Sequence, residues 1–268
     1  MPPVGIPVPP GGLAQAVRAA RVPAPAPVAL PAGAGAPAGA TPPPVPRHRI
    51  GPVLQALLLL QRERGPEALA ARLGVLVEAL GSLPCGDDGS WWAARLFGEV
   101  LRRVPDSRPY LPVLRQLADR IGARGERTPE FAPFGPGFWL DLPLGADERV
   151  DLLRRLVPAD PPPGGPLAQD GPYLLAAARL LARDPRGVQP LLCRWFGDGR
   201  TLPAAAPYAT VATAARALLH AHRTLAPDDL CEALVATAHP LAEGLLAALA
   251  EDEPAALCRA VDRWAHDD

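Results

Sequence analysis

Proline placement limits what this chain can become more than any other feature. There are 37 prolines in 268 residues. Proline inside a helix removes a hydrogen bond and clashes with the preceding turn. Spread evenly, these residues would leave no room for long regular elements, but they are segregated. Residues 1–47 hold 14 of them. In the last hundred residues Pro172, Pro185, Pro227, Pro240 and Pro254 each stand where an apolar helical pattern begins. Several have an acid beside them: Asp184 before Pro185, Asp228 and Asp229 after Pro227, Glu253 before Pro254. A first helical turn tolerates proline because its N–H groups have no acceptor within the helix. The implied helices are 172–183, 185–196, 208–223, 227–238, 239–250 and 253–266.

Residues 1–47 carry Arg18, Arg21 and Arg47, no acids and no aromatics. Such a segment has too little apolar area to offset ordering its backbone, about 1–2 kcal/mol per residue. It reads as a disordered Pro/Ala-rich tail of polyproline II character, with a short helical turn from Leu13 to Val22. It lacks a basic stretch followed by an apolar one, so no secretory signal is visible, and its prolines forbid the amphipathic helix of a transit peptide.

From Arg49 onward the spacing becomes helical. Ile50, Val53, Leu54, Leu57, Leu58 and Leu60 open a helix that stops near Gly65, and Pro66 starts the next, with Leu69, Leu73, Leu76, Val77 and Leu80 on one face. Gly81 is its expected stop. Trp92, Leu96, Val100 and Val104 line a third helix, widened by Phe97 and Leu101. Asp106 or Ser107 caps a fourth, buried along Tyr110, Leu114, Leu117 and Ile121 and ended by Gly122 and Gly125. A short helix from Asp147 to Val157 has acids at its positive end and Arg154 and Arg155 at its negative end. Residues 122–146 are not helical by pattern. The expected organisation is a tail (1–47), an N-terminal helical region (48–157), a Pro/Gly-rich linker (158–170) and a C-terminal helical region (171–268).

Composition removes several functions. All 27 cationic residues are arginine, with no lysine and no asparagine. This excludes a P-loop lysine, a Schiff-base lysine, the kinase lysine and asparagine, and Asn-linked glycans. The four cysteines, Cys85, Cys193, Cys231 and Cys258, form no CxxC and no disulfide scaffold. Three of them sit in expected helices next to leucine, where a buried thiol is the ordinary outcome. Reduced thiols and a cytoplasmic chain follow as expectations, and the arginine- and alanine-heavy composition suggests a high-GC bacterial genome. The longest strongly apolar run, Ala56 to Leu60, is far short of the ~20 residues of a membrane span. Net charge is −1, split as +5 over residues 1–134 and −6 over 135–268.

No reaction centre stands out. His220 and His222 point about 200° apart on a helix and do not share a metal. His239 reads as a helix-end residue. Asp87, Asp88 and Ser90 before Trp91 and Trp92 form an N-cap, with an acid pair as the alternative. Gly197-Asp198-Gly199-Arg200 follows a helix rather than a strand, which makes it a turn and not a phosphate cradle. Arg95, Arg102, Arg103, Arg108, Arg115, Arg120, Arg124 and Arg127 are interspersed with Glu99, Asp106, Asp119 and Glu126, the pattern of a solvated face. No cofactor motif is present, so none is expected. Phe131, Phe134, Phe138 and Trp139 are four of only thirteen aromatic residues. Folded back they plug the helix layer; exposed they make an interaction surface.

The C-terminal region also echoes itself. Leu192-Cys193-Arg194, Leu230-Cys231-Glu232 and Leu257-Cys258-Arg259 recur with a proline two or three residues before each leucine, at Pro190, Pro227 and Pro254, and with cysteine spacings of 38 and 27. Each falls on the second helix of an expected hairpin. Two-helix units at such periods resemble HEAT- or armadillo-like helical repeats over about residues 171–268. The resemblance implies an all-α fold of antiparallel helical hairpins, stacked as a short α-solenoid or gathered into a helical bundle. Leu175, Leu181, Leu192, Leu218, Leu219, Leu234, Leu245, Leu249, Leu257 and Val261 would then face neighbouring hairpins. The function implied is a non-enzymatic scaffold for another protein, with neither membrane nor nucleic acid as partner. Its candidate surface comprises Arg194, Trp195, Arg259 and Trp264 together with the aromatic loop, Phe131, Phe134, Phe138 and Trp139. The alternatives are an all-α enzyme with a site drawn from Asp87, Asp88, His220 and His222, or an arginine-mediated nucleic-acid contact around 95–127.

Overall fold

The computed structural model describes residues 49–82, 88–125, 128–161, 171–202 and 209–266. The expected tail with its turn from Leu13 to Val22, most of the expected linker, Cys85, Asp87, Glu126 and Arg127 lie outside the described residues. Among the described residues the fold is all-α, with eleven α-helices, five 3-10 segments and one isolated bridge between Thr201 and Thr210.

Helix α1 (Ile50–Ser82) is two helices across a kink. Gly65 has φ 82°, a left-handed conformation that glycine tolerates without a Cβ clash, and Pro66 begins the second arm. That arm buries Leu69, Leu73, Val77 and Leu80 completely, along one face. The first arm meets the core through Ile50, Leu54, Leu57 and Leu58, so Val53, expected on the buried face, is exposed. Helix α2 (Asp88–Leu101) buries Leu96, Phe97, Val100 and Leu101. Asp106 accepts the Arg108 N–H at 3.0 Å and opens a 3-10 turn that leads into α3 (Leu111–Arg124). Leu114, Leu117 and Ile121 form its buried stripe.

The aromatic stretch is helical after all. A 3-10 segment, Pro129–Phe134, is followed by α4 (Pro136–Asp141). Both are only six residues long, too short to display a period, and both start on proline. Helix α5 (Ala146–Leu156) has Asp147 and Glu148 in its first turn and Arg154 and Arg155 in its last. Gly122 does not end α3. It lies inside the helix where α3 meets α5, and a Cβ there would run into the carbonyl of Arg155. The stop is Gly125, at φ 69°.

The residues after α5 are packed where a linker was expected. Pro158 and Ala159 are buried in a 3-10 turn. Asp160 accepts the N–H groups of Tyr173 at 2.6 Å and Leu174 at 2.9 Å, satisfying the first turn of α6 (Tyr173–Arg183) from outside the helix.

Of the remaining helices, α7 (Pro185–Cys193), α9 (Pro227–Val235), α10 (Pro240–Asp252) and α11 (Pro254–His266) begin at the expected prolines, whereas α8 (Val211–Ala221) is shorter than the expected 208–223 and starts after Thr210. Asp184 caps α7 by accepting the Gly187 N–H at 3.0 Å, and Thr210 and Thr213 form a reciprocal capping box at α8. Leu175 and Val261 are exposed, contrary to expectation. Leu175 projects away from the face of α6 that buries Tyr173, Ala176, Ala177, Leu180 and Leu181, and α11 is buried only along Ala256 and Ala260.

The helices pack in series. α1 lies on α3, α3 on α5, α5 on α7, α7 on α9 and α9 on α11. A second set covers this row: α2 on α1, α6 on α5 and α7, α8 on α7, and α10 on α8, α9 and α11. One apolar cluster runs through them from Leu54 to Ala260.

Candidate functional site

The structure sorts the eight candidate surface residues sharply. Phe131, Phe134, Phe138 and Trp139 are buried, so the aromatic loop is a plug and not a surface. The ring of Phe134 stands edge-to-face with Phe97 of α2 at 5.6 Å and with Phe138 at 5.2 Å. Its carbonyl accepts both the Trp139 indole N–H at 2.8 Å and the Tyr173 hydroxyl at 2.9 Å. Trp195 is also buried, in a 3-10 turn packed under α8. Large rings bury more apolar area than any other side chain, and here the polar ends of Trp139 and Tyr173 find an acceptor inside. Trp264 is half-buried against the core. Only Arg194 and Arg259 remain exposed.

The dispersed acid and histidine residues do not converge. Asp88 opens α2, whereas His220 stands in the last turn of α8 and pairs with Asp252 of α10 at 2.8 Å. Extensive packing does not join α2 to α8. His222 is the C-cap of α8, and His239 caps α10 by accepting the Leu241 N–H on Nδ1 at 3.1 Å. Among the described residues no group of three or more His, Cys, Asp or Glu side chains is placed to hold a metal ion. Cys193 and Cys231 are buried, and burial pushes the Cys193 thiol up to about 11 despite a hydrogen bond with Thr237. Cys258 is exposed, against the expectation of a buried thiol, because it lies off the narrow Ala256–Ala260 contact face of α11. Every described arginine in the 95–127 region has a carboxylate partner. Arg95, Arg102 and Arg103 share Glu99, Arg108 reaches Glu148, Arg115 reaches Asp151, Arg120 reaches Glu78 and Arg124 reaches Glu130.

What the fold assembles instead is a charged cleft of about 500 Å³ over α3, α5 and the end of α7. Its lining is Arg115, Asp147, Val150, Asp151, Arg154, Arg155, Leu191, Arg194 and Trp195. Asp151 is the hub. It accepts from Arg115 at 3.1 Å, Arg154 at 2.9 Å and Arg155 at 3.3 Å. Burial acts to raise its carboxyl, but the hydrogen bonds and charges of Arg154 and Arg155 hold it below the usual aspartate range. Arg154 also reaches Asp198 at 2.9 Å, and Arg155 grips both oxygens of Asp119, at 2.8 and 2.9 Å. Asp198 belongs to the glycine-flanked turn read from sequence. It binds Arg154 and Arg200, which outweigh its burial and depress its carboxyl.

The sequence reading missed this cleft because its members are scattered over 80 residues. Arg154 and Arg155 were legible only as the basic end of α5, and Arg115 only as one of a basic run. The one local signal was Asp151, three and four residues before Arg154 and Arg155, where helical side chains meet.

The second described cleft, about 430 Å³, lies between α6, α7, α9 and α11. Arg183, Arg186 and Arg259 are balanced there by Asp184, Asp228 and Asp229. No helix among the described residues is long and apolar enough to cross a membrane. Compared with known protein families, curated proteins and solved structures, the chain matches none.

Proposed function

We propose that this chain is a non-enzymatic scaffold that holds another protein on a row of stacked helical hairpins, as HEAT- and armadillo-like repeats do. The observation that carries this reading is the series α1, α3, α5, α7, α9 and α11, each helix packed on the next with a second set behind. Helices gathered around one axis would instead bring early and late helices together. Two of the three Leu-Cys pairs are buried on successive helices of the row, Leu192-Cys193 at the end of α7 and Leu230-Cys231 in the middle of α9, and the third recurs on α11 with Cys258 exposed. Ion pairs bridge successive members of the row: Arg120 to Glu78, Arg155 to Asp119, Arg186 to Asp229 and Arg259 to Asp228. Solenoids present such a continuous face to macromolecules.

A photo-crosslinking amino acid placed in living cells at Arg186 or Arg259, on the row, and at Arg179 or Glu243, on the covering helices, tests the reading. A discrete adduct with another protein from the row positions and not from the others is expected. Equal adducts from all four positions, or none with another protein, would overturn it.

A further inference from the structure

The two clefts share a fold and differ in charge. The cleft between α6, α7, α9 and α11 is neutral, with three arginines against three aspartates. The cleft over α3, α5 and the end of α7 has four arginines, Arg115, Arg154, Arg155 and Arg194, against Asp147 and Asp151. Arg154 and Arg155 are largely committed to Asp151, Asp198 and Asp119. Arg115 and Arg194 are not. Arg115 gives only its Nε–H, to Asp151, and Arg194 gives only one Nη1–H, to Asp147 at 2.6 Å. Each keeps an unused guanidinium edge, and the Arg194 side chain is 67% exposed. A free edge of two parallel N–H groups matches the two oxygens of a carboxylate.

We propose that this cleft docks an acidic, extended segment of a partner protein, whose aspartate or glutamate side chains take the free edges of Arg115 and Arg194. The proposal rests on the scaffold reading and names the chemistry of its partner. The lining favours a charged peptide over a small metabolite, because small-molecule sites are mostly apolar and here Val150 and Leu191 are the principal apolar walls. It favours a peptide over nucleic acid. The one aromatic ring of the lining, Trp195, is buried and offers no platform for a base. Arg154 and Arg155, held in place by Asp151, lie beside the two free edges.

The test uses the full chain and a fluorescein-labelled oligoglutamate peptide, read by anisotropy at low and at physiological salt. An oligodeoxynucleotide of equal charge is the second probe. Binding of oligoglutamate that weakens with salt is expected, reduced about tenfold by the double variant Arg115→Gln, Arg194→Gln and unchanged by Arg179→Gln on the covering helix α6, outside both clefts. Arg194→Lys, which keeps the charge but loses the fork, should fall between. Thermal melts of each variant show whether the fold is intact. Should the double variant unfold, Arg194→Gln alone serves, because the side chain is exposed. Absence of oligoglutamate binding, binding that ignores the cleft variants, or tighter binding of the oligonucleotide through the same arginines overturns the proposal. The photo-crosslinking positions Arg186 and Arg259 lie outside this cleft, so a partner captured there while oligoglutamate fails leaves the scaffold standing and removes only the acidic segment.

Discussion

The two ends of this molecule reach the same helical row by different means. Between α2 and α6 the interior is built around a few large rings, Phe97, Phe131, Phe134, Phe138 and Trp139; the Phe134 ring meets Phe97 and Phe138 edge-to-face, and its carbonyl accepts from Trp139 and Tyr173. From α7 to α11 large rings are confined to Trp195 and Phe196 in the turn after α7; the rest is filled by leucine, valine, alanine and cysteine, and the helices are bridged outside by arginine–carboxylate pairs. A core of rings concentrates its stabilisation in single residues. A core of small residues distributes it and lets helix axes approach closely. Damage should therefore be steep in the first region and graded in the second.

The largest expected effect is at the plug. Trp139→Ala should cost about 3–5 kcal/mol in chemical denaturation, since it removes a fully buried ring and leaves one of the donors to the Phe134 carbonyl missing. A loss no larger than that of an average leucine would erase the contrast between the regions. Next comes Leu192→Ala on α7, fully buried, at about 2–5 kcal/mol, against about 1 kcal/mol for the half-buried Leu257→Ala on α11. Equal midpoints for the two would show that the gradient toward α11 is absent. Gly122→Ala should cost about 1–3 kcal/mol, because the added methyl forces α3 off the Arg155 carbonyl. Stability equal to the parent chain would mean that the two helices can part freely there.

A smaller effect is expected from Asp198→Asn. The folded carboxyl lies below the ordinary aspartate value of about 3.9, so it contributes stability above that pH and loses it as pH falls through the folded value. The variant should melt lower at neutral pH and show a shallower loss of melting temperature on acidification. Identical acid limbs would count against the Arg154–Asp198–Arg200 cluster. The gentlest probe is alkylation of the native chain. Cys258 should react, while Cys193, with its thiol raised to about 11, and the buried Cys231 should stay unmodified until denaturant is added. Rapid labelling of Cys193 would place α7 outside the core.

Helices with proline starts and apolar stripes were legible because both signals are local. Pro185, Pro227, Pro240 and Pro254 each begin a helix, and Leu114, Leu117 and Ile121 are buried together as their spacing demands. What escaped depends on contacts distant in sequence. Gly122 has the look of a stop, yet the α5 backbone fixes its role. Asp160 sits among prolines and glycines, yet it closes the first turn of a helix thirteen residues on. The charged cleft was less legible still. Arg115, Asp151 and Arg194 carry no common motif, and only the serial packing of α3, α5 and α7 brings them together.

The order in which the helices lean on one another has a consequence for biosynthesis. Each hairpin finds most of its supporting surface in the segment made just before it, so loop closures stay short and the growing chain can consolidate from the amino-terminal side while later codons are still being read. The ribosome then releases a polypeptide that has little long-distance searching left to do.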